Sequence, residues 1–143
     1  MSAGVWAANG RYNMAKIIHK SGRRKQAIAR ATLTPGKGII HFNNQRLDFN
    51  NNHIIRLRIS EPMILAGADD VDINVKVKGG GKAGQAEAAR LAIARALVAH
   101  DGKLKKVFDD YDRLLLVADV RRKEKRKPGT HGKARAKTQK SYR

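Results

Sequence analysis

Alternation between hydrophobic and polar residues marks two segments of the chain as strands. In VDINVKVK, Val and Ile alternate with Asp, Asn and Lys, and AIARATL has the same period of two. Side chains of a strand point alternately to its two faces, so each segment predicts a strand with one buried and one solvent-facing side. The short apolar segments AKIIHK and IIHF predict two more strands, and SGRRK, after the first of them, predicts a turn with a basic cluster. PGKG, between AIARATL and IIHF, predicts a hairpin turn that would make IIHF the partner of the preceding strand.

Two longer segments predict helices. QAEAARLAIARALVAH is rich in alanine and is followed by Gly102, which is typical of a helix and its end. A second helix is predicted from about His53, capped by an Asn of 50–52, with Pro62 near its end or just past it. KLKKVFDDYD is a short amphipathic segment, and LLLVAD predicts a buried strand or a helical turn. This order of elements favours an α+β fold with two layers, in which helices cover one face of a sheet of about four strands.

Positive charge is concentrated at the C-terminal end of the sequence. The 143 residues include 31 Lys and Arg against 12 Asp and Glu, a formal net charge of +19. Residues 121–143 hold eleven of these cations and one acid, so they contribute +10 and the remainder contributes +9. This segment has no Leu, Ile, Val, Phe, Met or Trp and cannot join a core. We therefore predict an N-terminal extension at 1–14, a globular domain at 15–120 and an extended basic tail at 121–143 that becomes ordered on binding.

The excess of cations indicates a polyanionic partner, and nucleic acid is the first candidate. A membrane surface is disfavoured, because no Trp, Phe or Leu accompanies the cations of the tail. No apolar segment reaches the roughly 20 residues that span a bilayer. The start of the chain lacks the apolar stretch of a secretory signal, so a cytoplasmic protein is expected. On the body of the protein, the cations that we expect to contact RNA are Arg23, Arg24, Lys25, Arg30, Lys76 and Lys78.

One glycine motif raises the possibility of an enzyme. Gly79, Gly81 and Gly84 have the G-x-G-x-x-G spacing of a dinucleotide-binding turn, after a predicted strand and before a predicted helix. The strand has a polar face, however, whereas a parallel Rossmann strand is covered on both faces. The five His are scattered without metal-ligand spacing, Cys is absent, and no Ser or Thr lies in a nucleophile elbow. We predict no enzymatic activity, no cofactor, no metal site and no small-molecule substrate.

Four stretches of the chain together resemble one known family. They are SGRRKQAIARA, KGGGKAGQAEAARLAIARALV, YDRLLLVADVRRKE and the terminal KARAKTQKSYR. They are similar to the small-subunit ribosomal protein nine family, and the ending QKSYR is similar to its archaeal and eukaryotic branch. The resemblance runs from about Ala15 to Arg143. It implies a fold like the second domain of ribosomal protein five, and a structural role in the head of the small ribosomal subunit beside neighbouring head proteins.

The resemblance also implies which residues of the tail contact RNA. The tail would pass through small-subunit rRNA towards the P site, where its end would contact the anticodon stem-loop of the bound tRNA. The residues at that end are Lys140, Ser141, Tyr142 and Arg143. Further cations that would contact rRNA are Lys82, Arg121, Arg122, Lys123, Lys125, Arg126, Lys127, Lys133, Arg135 and Lys137. A free-standing architectural nucleic-acid-binding protein is the alternative, although no apolar wedge residue accompanies the basic tail.

Overall fold

A computed structural model describes residues 17–135 of the chain. In this range the chain forms five strands and three α-helices, with single 3-10 turns at Leu47–Phe49 and Arg113–Leu115. The elements in chain order are β1 (Ile18–Arg24), β2 (Ala27–Pro35), β3 (Ile40–Phe42), β4 (Gln45–Arg46), α1 (His53–Ala66), β5 (Val71–Lys78), α2 (Lys82–His100) and α3 (Leu104–Tyr111). The predicted N-terminal extension lies outside the described residues.

The strands form one mixed sheet in the order β1-β2-β5-β3-β4. β1, β2 and β5 are antiparallel neighbours, and β3 runs parallel to β5. The α+β prediction is therefore confirmed, with one strand more than the predicted four. The additional strand is β4, which has only two residues and lies in an Asn-rich segment that we predicted to be a connection. Two residues are too few for a period of two to be visible in the sequence.

The segment PGKG is a turn, but the predicted hairpin is wrong. β2 pairs with β1 and β5, while β3 pairs with the opposite edge of β5, so the chain crosses the end of β5 between β2 and β3. Oδ1 of Asp72 accepts hydrogen bonds from the N–H groups of Ile39 (2.9 Å) and Lys37 (2.8 Å), which fixes this crossing. The same two bonds hold the pKa of the Asp72 carboxyl below its ordinary value.

α2 lies very close to β1 and β2 on the inner face of the sheet. The alanines at 27, 29 and 31 of β2 are fully buried, as the alternation in AIARATL predicts. The closest approach is at Gly22 of β1, where an added Cβ would lie 2.3 Å from the carbonyl oxygen of Ala88 and 2.7 Å from the nitrogen of Ala92. Small residues on both elements therefore bring the helix backbone almost onto the strand. Val71, Ile73, Val75 and Val77 form the buried face of β5, as predicted.

α1 begins and ends with ordinary caps but contains a proline. The side chain of Asn52 accepts hydrogen bonds from the N–H groups of Ile54 (3.1 Å) and Ile55 (3.3 Å), which confirms the predicted N-cap. Pro62 lies inside the helix rather than at its end. A proline removes one helical hydrogen bond, but here Pro62 and Met63 are buried in the core and the helix continues to Ala66. The burial of Pro62 and Met63 in the core therefore outweighs the tendency of a proline to end the helix.

The two short segments after α2 also form ordered structure. KLKKVFDDYD contains α3, whose Phe108 is fully buried, and LLLVAD begins within the 3-10 turn Arg113–Leu115, which buries Leu115. α2 is covered by the sheet on one side and by α1 and α3 on the other, so it buries ten residues. One of the ten is Arg90, a charged residue that nothing in this alanine-rich sequence marks as buried.

Candidate nucleic-acid interface

The face of the sheet opposite the helices carries four exposed cations. In the register of β1, β2 and β5, Arg23, Arg30, Lys76 and Lys78 all alternate with buried residues and point away from the helices. We call these four residues the sheet-face cations. Arg30 lies directly opposite Lys76, and Ile28 separates Arg23 from Lys78 in the next row. Two like charges therefore face each other across neighbouring strands, an arrangement that destabilises an isolated sheet.

The groove beside Arg30, Lys76 and Lys78 has no carboxylate in its lining. It has a volume of about 750 Å³, and its lining includes hydroxyl, imidazole and amide groups from His19, Thr32, Thr34 and Asn74. Nδ1 of His19 lies 2.9 Å from the hydroxyl oxygen of Thr32, so the two side chains are joined by a hydrogen bond. Cations together with neutral hydrogen-bonding groups are the chemistry that contacts the phosphates and sugars of a nucleic acid.

The position of Arg23 differs from the one that we predicted. The sequence SGRRK was interpreted as a turn with a basic cluster, but β1 continues through Arg24, and only Lys25 and Gln26 form the turn. Lys25 is exposed there with a φ of 54°, in the left-handed region. Because successive strand residues point to opposite faces, Arg23 belongs to the sheet face while Arg24 points the other way. Arg23, Arg24 and Lys25 therefore do not form one basic cluster, because they lie on the sheet face, on the opposite side of β1 and in the turn, respectively.

The glycine-rich segment is a tight turn against β2. Gly79 and Gly80 have φ values of 75° and 67°, which favour glycine. An added Cβ at Gly80 would lie 2.9 Å from the nitrogen of Ala27, so a larger residue would also collide with β2. Turn geometry and packing therefore account for these glycines. Lys82, the first residue of α2, is exposed beside this turn.

Arg24 is bound to the first part of the tail. Its Nη1 lies 2.5 Å from Oδ2 of Asp119, and Nη2 of Arg121 lies 2.7 Å from the same oxygen. The N–H of Arg121 donates to Oδ1 of Asp119 at 2.8 Å. The hydrogen bonds from the side chain and backbone of Arg121, together with the charge of Arg24, hold the pKa of the Asp119 carboxyl well below its usual range. Two of the predicted RNA-contacting residues therefore share a carboxylate at the root of the tail.

Beyond Arg121 the described tail has two parts. Residues 121–127 have no helix or strand, and their exposed cations are Arg122, Lys123, Lys125, Arg126 and Lys127. Residues 127–133 then fold back, since the N–H of Lys127 donates to the carbonyl of Lys133 at 3.2 Å. Gly129 and Gly132, with φ of 73° and 72°, allow this turn.

A second contact closes the same part of the tail. Arg135 forms an ion pair with Glu124, the one acid of the tail, and lowers the pKa of that carboxyl through the hydrogen bond and its charge. The described part of the tail is thus not extended throughout, because it contains a closed turn. Lys133 is exposed at the end of this turn. The predicted contact residues Lys137, Lys140, Ser141, Tyr142 and Arg143 lie outside the described residues.

Between residues 17 and 135, no three His, Asp or Glu side chains come together in a way that could hold a metal ion. No helix in this range is long and apolar enough to cross a membrane.

The α+β domain, its cationic sheet face and its basic tail are those of a nucleic-acid-binding protein. The family model described as ribosomal protein S9/S16 matches residues 22–143, and the chain belongs to that family. Membership confirms the resemblance seen in the four sequence stretches, and with it the prediction of a structural component of the ribosome rather than an enzyme.

Relatives from three archaea are similar over almost their full lengths, and each is named small ribosomal subunit protein uS9. The Halobacterium salinarum protein is 47% identical over 132 residues, which cover 89% of this chain and 99% of the relative. The Methanococcus vannielii protein is 46% identical over 133 residues, with coverage of 90% and 99%. The Methanothrix thermoacetophila protein is 48% identical over 132 residues, with the same coverage. The archaeal sources agree with the branch indicated by the ending QKSYR.

Proposed function

We propose that this chain is a structural protein of the small ribosomal subunit in the cytoplasm. It binds small-subunit rRNA in the subunit head through the sheet-face cations and the basic tail, and the end of the tail contacts P-site tRNA. The observation that carries the rRNA part is the placement of Arg30 directly opposite Lys76, in a groove without a carboxylate. The family membership and the names of the archaeal relatives support the ribosomal setting.

The repulsion between Arg30 and Lys76 has a direct consequence for binding. Like charges opposite each other in a sheet cost on the order of 0.2–1 kcal/mol, and no carboxylate in the groove offsets this cost. A phosphate that lies between the two side chains would remove the repulsion and release condensed counterions at the same time. The sheet face is therefore more stable with a bound polyanion than in contact with water alone. This holds even though residues 1–120 carry fewer cations per residue than the tail.

The tail supports the same function through charge density. Six of the seven residues at 121–127 are cations, and all seven are exposed. The shared carboxylate of Asp119 fixes the starting point of this segment beside the β1–β2 turn. The basic segment can therefore contact the same RNA that lies on the exposed Lys25 of that turn. The tRNA part of the proposal is based on the resemblance of KARAKTQKSYR to the family's ending.

The rRNA contact can be tested through the salt dependence of binding. Affinity for a transcript of the small-subunit rRNA 3′ domain would be measured between about 50 and 200 mM KCl, a range over which binding through several phosphate contacts weakens strongly. Arg30→Ala and Lys76→Ala should each reduce the slope of log K against log salt by about 0.7–0.9. Lys103→Ala, at an exposed lysine on the helix side, is the matched control and should leave the slope unchanged.

Two outcomes of this experiment would count against the proposal. If the salt slopes of Arg30→Ala and Lys76→Ala equalled that of the control Lys103→Ala, the sheet face would be excluded as a phosphate-binding surface. Equal affinity of the wild-type protein for random duplex DNA and for the rRNA transcript would instead favour the free-standing architectural binder. Such a protein would gain nothing from the shape of a folded RNA, whereas an rRNA-binding protein recognises that shape.

A further inference from the structure

Phe49 is the most exposed Phe or Tyr side chain between residues 17 and 135, with an exposed fraction of 74%. It ends the 3-10 turn whose first residue, Leu47, is buried. A single exposed apolar residue is common on protein surfaces and by itself indicates nothing. The groups that surround this ring decide what it can bind.

Phe49 lines a depression of about 420 Å³ between β4, the 3-10 turn and the first turns of α1 and α2, which we call the Phe49 depression. Its volume is within the range of about 300–1,000 Å³ that is typical of sites for small ligands. Phe42 and Ile55 contribute apolar surface to it and are packed against the core. No carboxylate is among its eleven lining residues, and five of the eleven carry a side-chain amide: Gln45, Asn50, Asn51, Asn52 and Gln85.

Three of these amides are held in a defined orientation by the backbone. The Oδ1 of Asn50 accepts from the N–H of Asn52 at 3.1 Å, and the Oδ1 of Asn52 accepts from two N–H groups in the first turn of α1 at 3.1 and 3.3 Å. The NH2 groups of both side chains make no hydrogen bond within residues 17–135 and are available as donors. Gln85 has the opposite orientation, because its Nε2 donates to the carbonyl of Gly79 at 3.2 Å, which leaves Oε1 as an acceptor. The depression therefore offers both donors and an acceptor to a ligand.

The charged side chains that line the depression are both positive. Lys82 is exposed and has no carboxylate partner in the part of the chain that the structure describes. Arg46 is paired with Asp48, with 3.0 Å between Nη2 and Oδ2, but both side chains are more than half exposed. Exposed pairs of this kind contribute little to stability, so Arg46 can contact an external anion as well. The depression therefore favours a negatively charged ligand.

An aromatic ring, oriented amides and cations are together the groups that recognise a single nucleotide of RNA. The ring stacks on a base, amides bond to the edge of the base, and cations contact the phosphates. In a duplex the faces of the bases are stacked on one another and their Watson–Crick edges are paired, so the ligand has to be an unpaired nucleotide. An apolar segment of a protein has less to contact here, because amides and cations make up seven of the eleven lining residues.

The Phe49 depression adjoins the surface through which we propose that the protein binds rRNA. Three residues separate Lys78, one of the sheet-face cations, from Lys82, so the Cα atoms of the two lysines are at most about 14 Å apart. One RNA can therefore contact the sheet face with its phosphates and place an unpaired nucleotide against Phe49.

We propose that the Phe49 depression holds one unpaired nucleotide of the rRNA. The base stacks on the ring of Phe49, and the phosphate contacts Lys82. The amides of Asn50, Asn52 and Gln85 bond to the edge of the base. The proposal rests on the rRNA-binding function proposed above and adds a contact that recognises a base, whereas the sheet-face cations contact phosphates.

Binding to the 3′-domain transcript tests the stacking contact separately from the charges. Phe49→Ala should lower the affinity at least about fivefold, the lower end of what stacking of one base on an aromatic ring contributes. Stacking releases no counterions, so this factor should be the same at about 50 and 200 mM KCl. Phe49→Tyr keeps a ring and should bind like the wild type. Tyr111→Ala, at an exposed aromatic residue of α3, is the matched control and should also bind like the wild type.

Equal affinities of Phe49→Ala and Tyr111→Ala would overturn the proposal. The sheet face is tested independently, through the salt slopes of Arg30→Ala and Lys76→Ala. Reduced slopes for those two variants, together with a wild-type affinity of Phe49→Ala, would reject the nucleotide site and leave the rRNA-binding function standing. Because Phe49 is largely exposed, Phe49→Ala should unfold at the wild-type temperature, which shows that a loss of affinity is not a loss of folding.

Crosslinking in assembled small subunits identifies the group that lies on the ring. A photoreactive phenylalanine in place of Phe49 should attach to one rRNA nucleotide, or to two adjacent ones, outside the base-paired helices. The same base should react faster with chemical probes in subunits that contain Phe49→Ala, because it is no longer stacked. The photoreactive residue in place of Tyr111 should not attach to that nucleotide. Crosslinks from position 49 to protein, or to nucleotides within base-paired helices, would overturn the proposal.

Discussion

Arg24 of β1 and Asp119 at the root of the tail form an ion pair, with Nη1 and Oδ2 separated by 2.5 Å. Asp119 also accepts hydrogen bonds from the backbone and side chain of Arg121, so one carboxylate joins the β1–β2 turn to the first residue of the tail. The tail therefore leaves the domain from a fixed position beside Lys25. A basic segment with a fixed origin loses less entropy on binding than one attached by a free hinge, because part of its path is already determined.

Asp119→Asn should release the tail root while leaving the core intact. The neutral amide keeps the shape of the side chain but loses the charge that Arg24 and Arg121 share. We expect faster hydrogen exchange of the Arg121 N–H, which donates to Asp119 in the native protein, and weaker rRNA binding. Exchange within α2 should stay unchanged. Equal exchange at Arg121 in both proteins would show that the carboxylate does not fix the tail root.

The same carboxylate makes stability depend on pH in a defined direction. The folded-state pKa of Asp119 lies below the ordinary value of about 3.9 that applies to the unfolded chain. Its contribution is therefore present above about pH 4 and is lost as the pH falls further, towards the folded-state pKa. Unfolding by urea would be followed from pH 6 to pH 2.5 for the wild type and for Asp119→Asn. The stability difference between the two should shrink as the pH falls below about 4, and a difference that is constant with pH would contradict this origin.

Gly22 allows α2 to lie on β1, so its replacement should be costly. In Gly22→Ala the new Cβ would meet the backbone of Ala88 and Ala92 at 2.3 and 2.7 Å, and backbone atoms cannot turn aside. We expect a loss of about 3 kcal/mol or more in the free energy of unfolding, the upper end for overpacking. Gly102→Ala is the control, since a Cβ there meets nothing within 4 Å. Chemical denaturation of both variants measures the difference, and a cost below about 1 kcal/mol at Gly22 would mean that the helix can move away.

Local patterns predicted the elements that alternate or repeat over many residues. The buried faces of β2 and β5, the C-terminal end of α2 and the N-cap of α1 all follow from spacing and residue type, and all are confirmed. The start of α2 was predicted three residues too late, because the helix begins at Lys82 rather than at Gln85. The pairing of β3 was predicted wrongly, because a short strand after a turn has several possible partners. Its position depends on Asp72, which accepts hydrogen bonds from residues far away in the sequence. No local pattern indicates such a contact.

The residues of the candidate interface, too, could be predicted only in part from the local sequence. Arg30, Lys76 and Lys78 were predicted on polar strand faces, and the structure brings them together because β2 and β5 are neighbours. Arg23 joins them only because β1 is longer than its apolar residues suggest. The ion pair of Arg24 with Asp119 could not be predicted, since it needs the tertiary position of both residues. Charge composition thus indicates the class of partner, while strand register determines which cations share a surface.

Substitution of Arg90 would test whether a buried charge stabilises the packing of three helical elements. It lies in α2 and binds Glu61 of α1 and Asp112 at the end of α3, with a side chain that is only 10% exposed. Arg90→Met would leave two carboxylates without their cation, and we expect a loss of about 2–4 kcal/mol in the free energy of unfolding. Arg58→Met breaks the exposed pair with Glu87 and should cost about 0–1 kcal/mol. Equal costs, measured by urea denaturation, would show that burial adds nothing to the Arg90 pairs.

Removal of Lys140–Arg143 should separate the two proposed roles of the tail. The sheet-face cations and residues 121–139 remain in this variant, so the protein should still enter the small subunit at the wild-type level. Loss of two cations from the end should weaken P-site tRNA binding to such subunits and reduce the slope of log K against log salt by about 1.4–1.8, because each phosphate contact contributes about 0.7–0.9. Filter binding of tRNA to purified subunits at two salt concentrations measures both the loss and its salt dependence.

A deletion of the closed turn at 128–133 is the comparison, because it shortens the tail without removing its end. If the four-residue truncation leaves tRNA affinity unchanged while the turn deletion lowers subunit occupancy, the tail serves rRNA alone, and its terminal cations have no part in holding tRNA.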